Sequence, residues 1–121
     1  MSIDEVMSKL ESEGVDLATT LHRFLDNKEM YAKFLRKFLS DTNYTQMQKD
    51  CEAKDYAKLL ESSHALKGLT GNLGLDPMYK KLSDMVADIR ANDYHRIDEL
   101  NEGIKRDYEV FAEIIGSLDQ T

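Results

Sequence analysis

The chain has 121 residues, 41% of them hydrophobic and 32% charged, with 6 Gly, 1 Pro and no Trp. That is one domain's worth of protein, and so little Gly and Pro argues against a turn-dense sandwich or barrel while leaving room for long helices. A formal net charge of -7 repels phosphate backbones and speaks against a nucleic-acid partner; a lone cysteine, Cys51, can form neither an internal disulfide nor a CxxC zinc or redox site, which fits a reducing compartment.

The amino terminus reads Ser2-Ile3-Asp4-Glu5, the spacing of a capping box in which hydroxyl and carboxylate each satisfy an orphan backbone amide. Standing directly after Met1, that box reads as the natural start of a free-standing protein. No basic stretch leads into an apolar run, as a secretory signal requires, and no run approaches the ~18 apolar residues of a membrane span. A soluble, cytoplasmic protein with no membrane partner is expected.

Apolar residues recur at helical spacing almost from end to end. Ile3, Val6, Met7 and Leu10 make a first short amphipathic segment closed by Gly14, and Leu17, Leu21, Phe24 and Leu25 a second. Asn27 is a good cap for a third segment carrying Met30, Tyr31, Phe34, Leu35, Phe38 and Leu39, which continues through Tyr44, Met47 and Cys51 past a kink at Ser40-Asp41-Thr42. Asp55 caps a helix that runs to Leu73, with Gly74 as its left-handed stop. Asp76-Pro77 opens the next, Pro77 at the first helical position, with Met78, Leu82, Met85, Val86 and Ile89 on its stripe. Asp93 or a neighbour caps the last, which carries Ile97, Leu100, Ile104, Tyr108, Phe111, Ile115 and Leu118. No segment alternates with period two. The expected architecture is all-α: an antiparallel four-helix bundle preceded by two short amino-terminal helices.

The helix from Tyr56 to Leu73 carries the most information. On a wheel of about 100° per residue with His64 at zero, Leu59, Ser62, Leu66, Leu69, Thr70 and Leu73 fall on the opposite side and form the core-facing stripe. Around His64 lie Ala57, Leu60, Glu61, Lys67, Gly68, Gly71 and Asn72, so the histidine stands in the middle of the outward face. Gly68 and Gly71 are helix-interior glycines, each costing about 1 kcal/mol relative to Ala. Both flank His64, at i+4 and i+7, where they leave a shallow, flat surface. Lys67, at i+3, sets an ammonium where it can reach whatever the imidazole holds. A neutral imidazole is a nucleophile at physiological pH, and a neighbouring cation stabilises the charge of a transferring phosphoryl group.

His64-Ala65-Leu66-Lys67-Gly68, followed by Gly71-Asn72-Leu73-Gly74, resembles the H-x-L-K-G signature of histidine-containing phosphotransfer (HPt) domains. The Asp55 cap, the Gly74 stop, the Asp76-Pro77 restart and the set of long helices agree with the same family, so residues 1–121 read as a single HPt domain. The resemblance implies a phosphorelay carrier. An aspartyl phosphate on a response-regulator receiver domain is passed to Nε2 of His64 and then to a second receiver, with a hybrid sensor histidine kinase upstream. It further implies that Lys67 assists the phosphoryl group and that Gly68 permits close docking; Leu60 and Gly71, on the same outward face, complete the expected docking surface. No cofactor is expected in the chain itself; the Mg²⁺ such transfers use belongs to the receiver.

Other features read as structural. His22 on the polar side of a short helix and His95 in the first turn of the last are bystanders. Glu61 and His64 have the Glu-x-x-His spacing of di-metal bundles, but those sites point inward and need a second such motif, so no metal is expected. Met30, Phe34, Phe38, Met78, Met85 and Phe111 read as core filling, and Cys51 as a buried small hydrophobe. Lys80-Lys81 and Lys105-Arg106 read as solvated, with Lys80 and Lys81 available to a docking rim. A histidine kinase module is disfavoured: Ala65 follows the histidine where an acidic residue belongs, and no Gly-rich nucleotide-binding stretch is present. The competing expectation is a catalytically silent helical bundle that only docks or inhibits a receiver or kinase; retention of both His64 and Lys67 counts against it, because binding alone requires neither.

Overall fold

The computed structural model describes residues 1–119; Gln120 and Thr121, the end of the expected 1–121 unit, lie outside the described residues. Among the described residues the chain forms helices and no strand: α1 (Ile3–Ser12), α2 (Leu17–Arg23), α3 (Lys28–Ser40), α4 (Asn43–Ala53), α5 (Tyr56–Leu73), α6 (Asp76–Arg90) and α7 (Ile97–Gly116). The capping box of α1 is formed in both directions, Glu5 N–H donating to Ser2 Oγ at 3.2 Å and Ser2 N–H to Glu5 Oε1 at 3.3 Å. Carboxylate or amide oxygens start the next helices: Asp16 accepts from Thr19 N–H at 3.2 Å, Asn27 from Met30 N–H at 3.0 Å and Asp55 from Lys58 N–H at 3.2 Å. Each satisfies one of the amides that a helix start leaves unpaired.

Four boundaries differ from the sequence expectation. The third segment is two helices, because Asp41 is extended (φ -71°, ψ 135°) and its Oδ1 accepts from Asn43 N–H at 2.8 Å, an Asx turn that ends α3 and restarts the chain as α4. Leu25 is not part of the second stripe: it follows α2 in a left-handed conformation (φ 58°) and is 81% exposed. Helix α6 begins at Asp76, which puts Pro77 at its second position, still within the turn whose amides need no intrahelical partner. Helix α7 begins only at Ile97, with Arg96 as the flanking residue. Asp93 does not cap it because its carboxylate is taken by His95, accepting from the backbone N–H at 3.3 Å and lying 2.5 Å from Nδ1.

The core is continuous through the long helices. Tyr31, Leu35 and Phe38 of α3, Met47 of α4, Leu59, Leu66 and Leu73 of α5, Met78, Leu82 and Met85 of α6, and Ile104 and Phe111 of α7 are buried together. Val6, Met7 and Leu10 of α1 close one end. Helix α5 packs against α2, α3, α4 and α6, and α7 against α1, α3, α4 and α6. Two stacked tyrosine pairs bind elements far apart in sequence: Tyr44 on Tyr108 at 3.6 Å between ring centres, and Tyr56 on Tyr94 at 3.9 Å. The methionine and aromatic stripe fills this core, with Met30 and Phe34 at its edge. Cys51 is half-buried rather than fully buried, and burial pushes its thiol up to about 11, aided by Asp98 and Asp50, so it is protonated at neutral pH.

Candidate functional site

Helix α5 packs against four other helices, and its carboxyl-terminal end is held at every carbonyl. The last four carbonyls of a helix have no partner within it. Here Thr70 O accepts from Leu75 N–H at 2.9 Å, Gly71 O from Arg23 Nη2 at 3.1 Å, Asn72 O from Arg23 Nε at 3.4 Å, and Leu73 O from the buried hydroxyl of Tyr31 at 2.8 Å. Gly74 stops the helix with φ 74°, and a Cβ there would lie 2.1 Å from Thr20 Oγ1, so both the backbone conformation and the space require glycine. On the α4 side, Ser62 Oγ donates to Asp50 Oδ2 at 2.9 Å, and Gln46 Nε2 donates to Asp50 Oδ1 at 2.9 Å. Asp50 is 3% exposed, and these bonds satisfy it. The helix is held at its carboxyl-terminal end and on its α4 flank.

Its faces follow the wheel with two differences. Leu59, Ser62, Leu66, Thr70 and Leu73 are buried, while Leu69 is half-buried at the stripe's edge. Ser63, outside the expected stripe, is fully buried, its hydroxyl donating to Leu60 O at 3.4 Å. His64 stands exposed at mid-helix, with Ala57, Glu61 and Gly68 also exposed and Leu60 half-buried against the core. A Cβ built on Gly68 would meet nothing within 4 Å, so the surface one turn beyond the imidazole is open. Lys67 is half-buried, and its ammonium lies 5.9 Å from the ring centre of Tyr79 on α6. The arrangement sets an exposed imidazole, a half-buried cation and bare backbone on α5.

Gly71 does not share the openness expected of it. A Cβ there would come within 2.9 Å of Tyr79 Cε2 and 3.0 Å of Cδ2, so one side of the tyrosine ring lies close against the bare backbone at this position. Gly71 is the seat of Tyr79, and what it offers a partner is the rim of that ring rather than open surface. Lys80 is exposed, but Lys81 is turned onto α7, where its ammonium pairs with Asp107 at 2.7 Å; it does not belong to the rim around His64. Tyr79 itself was not singled out by its sequence context. The available signal was the short Gly74-Leu75-Asp76 connection, which forces the first turn of α6 alongside the last turns of α5.

The other two histidines lie elsewhere. His22 is exposed on α2, 3.7 Å from Asp26, and His95 is exposed in the segment before α7, its pKa raised by the hydrogen bond and charge of Asp93. Among the described residues no three His, Cys, Asp or Glu side chains are grouped to hold a metal ion, and no helix is long and apolar enough to cross a membrane. Comparison with known proteins returns no match: no family model, no curated protein and no solved structure is significantly similar to this chain.

Proposed function

We propose that this chain is a phosphorelay carrier of the HPt type, with His64 as its phosphoryl acceptor. In this reading the long helices form an antiparallel four-helix bundle whose first member is broken into α3 and α4, and α1 and α2 are the short amino-terminal additions. The packing of α4 on α5, α5 on α6 and α6 on α7 across short connections supports that arrangement. The observation that carries the functional reading is the mid-helix exposure of His64 beside open backbone at Gly68, on a helix clamped at its end and along one flank.

The chemistry is in-line displacement at phosphorus. The Nε2 lone pair of His64 attacks the acyl phosphate of a receiver domain, the P–O bond to the aspartate breaks as the N–P bond forms, and the carboxylate leaves. The proton stays on Nδ1, which exchanges it with solvent. Lys67, one turn away, offers its ammonium to the equatorial phosphoryl oxygens, which is most of what a protein can add to such a transfer. The chain needs no cofactor of its own, the divalent cation belonging to the receiver. Neither nucleic acid nor membrane takes part.

Receiver domains charged with phosphate test the reading against silent docking. Binding accompanied by an acid-labile, base-stable phosphoryl label on the chain supports the carrier. Binding of charged receivers that leaves the chain unlabelled overturns it in favour of a docking module.

A further inference from the structure

We propose that Tyr79 is a positioning residue for this transfer, its ring restraining the Lys67 ammonium on the face of α5 that carries His64 without neutralising it. The inference rests on the reading of His64 as the acceptor. Two observations meet at Tyr79: the Lys67 ammonium lies 5.9 Å from its ring centre, and Gly71, one turn further along α5, is bare where a Cβ would approach the ring to 2.9 Å. The glycine lets the ring lie close to the helix, and that closeness brings its face under the lysine. The Leu75 N–H to Thr70 O bond of 2.9 Å fixes the turn that sets this register.

The choice of partner matters chemically. Lys28 is held by Asp4 at 2.8 Å and Lys81 by Asp107 at 2.7 Å, whereas Lys37, like Lys67, lies over a ring, that of Phe34 at 5.0 Å. A carboxylate so placed on Lys67 would cancel the charge that an incoming phosphoryl group needs. It would also repel the phosphoryl oxygens. An aromatic face attracts a cation through its quadrupole and carries no net charge. The ammonium has three donors, so a ring can restrain its position while leaving N–H groups for phosphoryl oxygens. Restraint before the reaction removes reorganisation during it, which is the basis of electrostatic preorganisation. Tyr79 is 38% exposed, so its ring restrains the lysine while part of the side chain stays open to solvent.

The experiment pairs a spectroscopic reading with a double-mutant cycle on the full chain. The ring should shift the Lys67 ε-methylene protons upfield; Tyr79→Phe should keep that shift and Tyr79→Leu should lose it. In single-turnover transfer from a saturating charged receiver, Tyr79→Leu should slow the step about two- to fivefold, the range an exposed ammonium–ring contact carries, and Tyr79→Phe should restore it. In a Lys67→Ala background Tyr79→Leu should change nothing further. A missing ring shift in the unaltered chain, an unchanged rate in Tyr79→Leu, or an equal loss with and without Lys67 each overturns the proposal. The last would make Tyr79 a docking residue. Failure of the acceptor reading looks different: no receiver labels the unaltered chain although the ring shift is present, and the positioning role falls with it.

Discussion

Gly68 and Gly71 stand one turn apart on α5 and present the same residue type to the same helical geometry, yet alanine should act differently at the two. At Gly68 the added methyl meets nothing within 4 Å, so only backbone propensity changes and Gly68→Ala should stabilise the fold by about 0.8–1 kcal/mol. With an unfolding entropy near 2.1 cal/mol/K per residue, that is a rise in Tm of about 3–4 °C for a chain of 121 residues. At Gly71 the same propensity gain is opposed. Tyr79 Cε2 would lie 2.9 Å from the new methyl and must retreat by roughly half an ångström to reach ordinary carbon–carbon contact. The ring is partly exposed and can yield, so the expected net for Gly71→Ala is about 0–0.5 kcal/mol, or about 0–2 °C. Thermal melts followed by circular dichroism on the two variants side by side measure the difference. If Gly71→Ala melts as high as Gly68→Ala with the Lys67 ring shift intact, Tyr79 is not seated on that glycine.

Leu66 and Leu73 are fully enclosed, so alanine at either should cost about 2–5 kcal/mol in urea unfolding; a loss under 1 kcal/mol would mean the opposite face of α5 holds the core. Gly74→Ala combines a left-handed backbone with a clash at Thr20 and should cost more than about 1 kcal/mol, with a Thr20→Gly change recovering only the steric part. Burial pushes Cys51 up to about 11 and Tyr44 up to about 12, and raises Tyr31 further. These groups hold their protons more tightly folded than unfolded, so their contribution to stability should be constant near neutrality and fall as pH rises past the ordinary thiol and phenol values of about 8.5 and 10. Tyr31→Phe should shallow the decline between pH 10 and 11, and an unchanged slope would contradict the burial argument.

What could be read from the sequence was what periodicity and local capping encode. The leucine stripe of α5 fixes which way His64 faces, and Ser2, Asn27, Asp55 and Gly74 act within a few residues of where they stand. The departures arose where one local hydrogen bond competes with another or where register between helices decides. Asp41 captures the amide of Asn43 and breaks a segment whose apolar spacing runs straight through; Asp93 is diverted to His95 and leaves α7 to start later. The contact of Tyr79 with Gly71 and Lys67 depends on how α6 lies along α5, which no single-helix wheel contains.

The central claim is that one imidazole of the three carries phosphate. The most direct measurement is site localisation of the phosphoryl group after brief reaction with a charged receiver, using tandem mass spectrometry at alkaline pH on the unaltered chain and on His64→Gln. The account predicts a single phosphohistidine at His64. It also predicts no label on His64→Gln, whose stability should change by no more than an exposed substitution allows, about 0.5 kcal/mol or less. Phosphate found at His22 or His95, or full labelling of a folded His64→Gln protein, would contradict it.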